Sequence, residues 1–102
     1  ITVELVKRGG EGVISVAANA FPEKFCLCVH NAMAGNITQA EGEMERLIEP
    51  INLLFREGNP TGIKGMCASM GITTPEVRLP LVEYTAELKR DIEKAITTYD
   101  LK

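Results

Sequence analysis

No apolar run in the 102 residues approaches the roughly 20 that a membrane-spanning helix needs, so no helical span is expected and the chain should be soluble. Basic clusters are missing too. Lys and Arg total 11 against 14 Asp and Glu, a net charge of −3 with the two signs interleaved. That argues against a nucleic-acid surface, which needs a contiguous basic patch. The single histidine, His30, has no nucleophile motif beside it, and Ser15 lacks evident acid and histidine partners, which argues against a hydrolytic triad. Three cysteines are an odd number without the spacing of a disulfide scaffold, and point to a reducing, cytoplasmic location. The chain opens on Ile1 with neither an initiating Met nor a signal-like segment, so truncation or processing is expected.

Metal and covalent chemistry find little support. Cys26 and Cys28 fall in an expected helix, where two residues stand about 200° apart around the axis, so both cannot ligate one ion. Cys26 and His30 share a face as half a site, but no second ligand pair is recognisable. No metal and no cofactor is therefore expected, and the thiols are read as buried packing. Glu41, Glu43, Glu45 and Glu49 are spread along a helix face and read as solvated, not as acid–base groups. Lys64 is the one lysine embedded among apolar and small residues, and so the one candidate reactive amine. A packed stem with a paired or snorkelling head is its ordinary alternative.

What is present is one good strand among helices. Gly9 to Asn19 reads Gly-Gly-Glu-Gly-Val-Ile-Ser-Val-Ala-Ala-Asn, whose Val13, Ile14 and Val16 suit a buried pleated surface, with a strand at about 12–17. A lone strand cannot satisfy its own edges, so its partners must come from chain not present here or from another copy. Gly9, Gly10 and Gly12 lead into this strand; a phosphate cradle has the opposite order, so they are read as a turn. Before them, Ile1 to Arg8 ends on basic residues followed by glycine and reads as the tail of a helix. Helix, turn, strand and helix is the rhythm of an α/β fold built on parallel strands.

The remainder is helical. Pro22 opens a helix over about 22–34 with Phe25, Cys28, Val29, Ala32 and Met33 on its stripe. Thr38 and Glu41 form an expected capping box for a long helix carrying Ala40, Met44, Leu47, Ile48, Ile51, Leu54 and Phe55, which Pro50 should kink. Gly58 stops it. Asn59 and Pro60 are expected at the N-cap and first position of a short helix bearing Ile63, Met66, Cys67 and Met70. Pro75 and Pro80 make 73–80 a connector, and a last helix begins near Thr85 with Leu88, Ile92, Ala95, Ile96 and Tyr99 on one side.

Three blocks together resemble a known family. The run at 9–19, Phe-Arg-Glu-Gly-Asn-Pro-Thr-Gly-Ile-Lys at 55–64 and Val-Arg-Leu-Pro-Leu at 77–81 are similar, in order and spacing, to the carboxy-terminal third of the dihydrodipicolinate synthases. Related N-acetylneuraminate lyases carry a Gly-Ser-Thr-Tyr-Asn-like run where this chain has Ser15-Val16-Ala17-Ala18-Asn19, which favours the synthases. The resemblance implies an α/β TIM-barrel parent, of which this chain is a mainly α-helical fragment. Residues 1–35 would end the (β/α)8 barrel with its last strand and helix, and 36–102 would be an appended three-helix domain.

It further implies a parent that condenses pyruvate, held as a Schiff base on a lysine, with aspartate semialdehyde in lysine (diaminopimelate) biosynthesis, as a cytoplasmic homotetramer. The Ile14 backbone carbonyl would face the bound pyruvate. The Schiff-base lysine and the proton-relaying tyrosine and threonines would lie on earlier strands, so no catalytic residue is expected in this chain and it should be inactive alone. Gly62 departs from the family, which often has proline there, and Cys26 and Cys28 are not motif positions. A non-enzymatic helical interaction module is the competing reading, but such a module has no use for the strand at Val13 to Val16. A fragment of a lyase-like relative is the other.

Overall fold

The computed structural model describes residues 1–102 as five α-helices and one turn of 3-10 helix. In chain order these are α1 (Thr2–Lys7), the 3-10 turn (Ala17–Asn19), α2 (Pro22–Met33), α3 (Ile37–Phe55), α4 (Thr61–Ser69) and α5 (Ala86–Thr98). No strand forms. The stretch expected as a strand at 12–17 is irregular chain over 11–15, and Ala17 belongs to the 3-10 turn. A strand is defined by its neighbours, and this chain supplies none for Val13 to Val16.

The chain divides into two compact units, Ile1–Ile48 and Glu49–Lys102, and α3 runs through the division. In the first unit, Val3 and Val6 of α1, Cys28 and Ala32 of α2 and Ala40 of α3 form a core, with Ile37 and Met44 packed on it. Phe21 and Phe25 are also buried, whereas Met33, expected on the same stripe, is exposed. Lys7 and Arg8 in the last turn of α1 both pair with Glu4, and Arg8 holds its carboxyl below the usual carboxylate range. The Gly9 amide donates to the Val6 carbonyl at 3.0 Å and the Gly10 amide to that of Leu5 at 2.9 Å, with Gly9 at φ 97°. This is the paired left-handed stop that the basic–glycine ending of α1 predicts.

Two expected helix starts are displaced by one residue. α3 begins at Ile37, with the Ala40 amide bonded to the Asn36 carbonyl, so Thr38 lies inside the first turn and forms no capping box. Glu41 instead stands 3.7 Å from Lys7. α4 begins at Thr61 with Pro60, not Asn59, as the cap, and the Thr61 hydroxyl donates to the Val82 carbonyl at 2.9 Å. α3 continues through Pro50, whose missing amide deletes one rung of the helix ladder.

In the second unit, Leu53 and Leu54 of α3, Ile63, Met66 and Cys67 of α4, and Leu88, Ile92 and Ala95 of α5 are buried. The 73–80 segment is a connector, as its prolines predict. Close approach is made possible by glycine. A Cβ on Gly62 would meet the Leu54 carbonyl oxygen at 1.9 Å, and one on Gly65 would meet the Tyr84 ring at 2.3 Å. The Tyr84 and Ser69 hydroxyls complete that contact at 2.9 Å.

Candidate functional site

The candidate site is the stretch between α1 and the 3-10 turn. After the Gly10 amide, the next backbone donor with a partner is Ala18, which donates to the Ser15 hydroxyl at 3.2 Å, followed by Asn19 to the Val16 carbonyl at 3.1 Å. The amides of 11–16 and the carbonyls of 11–15 therefore meet no protein group. Ser15, weighed as a nucleophile, accepts a bond that closes the turn after it. Val13 is 40% exposed and Ile14 fully so, at 104%. Adjacent residues point to opposite sides wherever a chain is extended, so as a strand the stretch would place Val13 and Ile14 on opposite faces.

Both ends of this stretch are anchored. The stop of α1 holds one end. At the other, Ala17, Ala20 and Phe21 are buried beneath α2, whose proline occupies the first helical position. The arrangement presents five residues of backbone, 11–15, with free donors and acceptors, followed by the free Val16 amide, between two fixed points. It can join a sheet, and its one ionisable side chain is the exposed Glu11 at its first residue.

The other sequence candidates are not brought to it. Cys26 and His30 lie on the exposed face of α2, while Cys28 is buried and donates to the Ala40 carbonyl at 3.3 Å. Cys26 is thus not the buried packing thiol expected. Burial raises the Cys28 thiol pKa, with the Glu43 charge adding to it, and burial likewise raises that of Cys67 against the opposing charge of Lys64. Lys64 is half-buried in α4 and borders an open pocket of about 290 Å³ with Pro60, Val77, Arg78, Leu81 and Glu76.

The acidic row on α3 is not simply solvated, as expected from its spacing. Glu43 accepts two bonds from Asn31 at 3.1 Å, Glu41 pairs with Lys7, and Glu49 accepts from the Tyr99 hydroxyl. Sequence reasoning missed these links, along with the Glu57 carboxylate that receives the Thr85 amide at 2.9 Å. The partners lie far apart in the chain, and nothing in local spacing marks them.

Residues 1–99 match the model of the dihydrodipicolinate synthetase family. The chain belongs to that family. The 4-hydroxy-tetrahydrodipicolinate synthase of Cytophaga hutchinsonii is 39% identical over 95 residues, which are 93% of this chain and 32% of the relative. Among solved structures, the dihydrodipicolinate synthase of Thermotoga maritima aligns with a TM-score of 0.94 at 29% identity, covering 99% of this chain and 34% of that one. The chloride-inhibited synthase of Acinetobacter baumannii, solved with pyruvate, aligns at 0.91 and 28% identity, over 98% of this chain and 34% of its own. These synthetase-family structures are TIM-barrel enzymes, and the chain spans about a third of the relatives it matches.

Proposed function

We propose that this chain acts as the last strand–helix unit and the helical domain of a pyruvate-dependent synthase. The whole enzyme condenses pyruvate with aspartate semialdehyde in lysine biosynthesis, as a cytoplasmic homotetramer. Residues 1–35 complete the barrel and 36–102 form the helical domain. The observation that carries this reading is the family match over residues 1–99, and the unpaired backbone of 11–15 between α1 and α2 supports it. In a (β/α)8 barrel the active site lies at the carboxyl ends of the strands, so Ile14 to Ala17 border it and the Ile14 carbonyl faces pyruvate.

The covalent step, in which a lysine amine attacks the pyruvate ketone and water leaves as the imine forms, is assigned to a lysine outside residues 1–102. Without it the chain has no synthase activity. Borohydride trapping in the whole protein, followed by peptide mapping, tests this. A reduced pyruvyl adduct outside 1–102 is expected; an adduct on Lys64, or pyruvate-dependent product from this chain by itself, overturns it.

A further inference from the structure

We propose that the cavity at the start of α4, lined by Pro60, Lys64, Glu76, Val77, Arg78 and Leu81, binds a small monocarboxylate with a short apolar tail. The site belongs to the second unit, shares no residue with the stretch at 11–16 and does not depend on the synthase reading.

Two cations border this cavity without a partner. Lys64 is half-buried and Arg78 exposed, and neither side chain makes an ion pair or a hydrogen bond within the chain. Like charges on one cavity repel; an anion seated between them relieves that repulsion and accepts charge-assisted hydrogen bonds from both. The helix reinforces the same sign, because Pro60 caps α4 and the cavity therefore opens beside the positive end of its dipole.

The rest of the lining narrows the ligand. Glu76 sets one negative charge against the two positive ones, so the lining carries a net +1. A single carboxylate neutralises that charge, whereas a dicarboxylate or a phosphate ester exceeds it and faces Glu76 as well. Pro60, Val77 and Leu81 supply an apolar wall for a tail, and the volume of about 290 Å³ is small for a ligand pocket, so the tail is short. The walls are held before any ligand arrives. The Thr61 hydroxyl donates to the Val82 carbonyl at 2.9 Å, tying the connector to the first residue of α4. The Leu81 amide donates to the Arg78 carbonyl at 3.0 Å, closing the turn that brings both residues to one cavity. Binding therefore has to order the two cationic side chains and little backbone.

Isovalerate is the probe: it has one carboxylate, a branched apolar tail and no ketone with which to form an imine elsewhere. Isothermal titration of the whole protein at low salt should show saturable binding. Isoamyl alcohol, which keeps the tail without the charge, and succinate, which adds a second charge, should each bind at least roughly tenfold more weakly. Lys64→Met and Arg78→Met should each weaken isovalerate roughly tenfold or more, and Lys64→Arg should restore most of the loss. Lys89→Met, on the exposed face of α5, makes the same change in net charge and should leave binding as it was. Glu76→Gln should strengthen succinate binding severalfold. Circular dichroism of each variant separates lost binding from lost folding, and the exposed Arg78 carries the test if Lys64→Met does not fold. No saturable binding, equal binding of isoamyl alcohol, or isovalerate binding that Arg78→Met leaves unchanged overturns the site. Succinate binding as tightly as isovalerate overturns the assignment to a monocarboxylate.

Discussion

A methyl group on Gly62 would stand 1.9 Å from the Leu54 carbonyl oxygen, a distance no side chain tolerates. The obstacle is backbone, so relief requires α4 to shift from the end of α3 that carries Leu54. Gly62→Ala should therefore destabilise the chain by about 1–3 kcal/mol or more, read as a lower urea midpoint with an unchanged slope. The cysteines separate just as clearly. Cys26 is exposed, whereas Cys28 and Cys67 are buried with thiol pKa values raised by that burial. Brief iodoacetamide treatment of the native chain should modify Cys26 alone, and all three thiols should react in denaturant; equal native labelling of Cys28 would refute the packing described. That Cys26 and Cys28 part company was legible from helical spacing. Cys28 also lies on the apolar stripe that the spacing of α2 marks, and it is the buried one; reading Cys26 as a packing thiol too went against that stripe.

At the scale of elements, the helices were largely readable, and their ends less so. The stripe of α4 is buried where its periodicity places it, that of α5 is buried at Leu88, Ile92 and Ala95 and half-buried at Ile96 and Tyr99, and Thr85 caps α5 by accepting the Leu88 amide at 3.1 Å. Its amide and hydroxyl also donate to Glu57. Thr85→Ala should cost on the order of 1–2 kcal/mol by thermal or urea unfolding, with Thr85→Ser recovering most of it. The capping box at Thr38 failed because Ile37 already adopts helical conformation and Asn36 supplies the first carbonyl. At the far end of α5 the left-handed position is taken by Asp100, at φ 51°, with Leu101 buried behind it. A glycine search misses such a stop; the buried leucine after it is the better signal.

At the scale of the molecule, order is uneven in a defined way. The 11–16 amides have no partners, while α2 beside them is closed by the Gly35 and Asn36 bonds at 3.1 and 2.8 Å. In this chain alone, amides 11–16 should exchange at rates close to those of an unstructured peptide, and interior α2 amides should be protected, as measured by hydrogen exchange with NMR readout. Protected 11–16 amides in the monomer would mean that the stretch pairs within the chain.

The sequence by itself determined the glycine stops, the apolar run at Val13 to Val16, the family and most of the helical stripes, though Met33, Ile48 and Phe55, expected on stripes, are exposed and Leu53, not expected there, is buried. The tertiary structure decided how the acids on α3 are used, and that glycine at 62 and 65 permits contact with Leu54 and Tyr84. It also decided that a sequence with strong strand preference forms no strand here. Helices close their hydrogen bonds within one segment, so their residues suffice to specify them. A strand closes its bonds only on another strand, and β-preference without a neighbour leaves the backbone of 11–15 open.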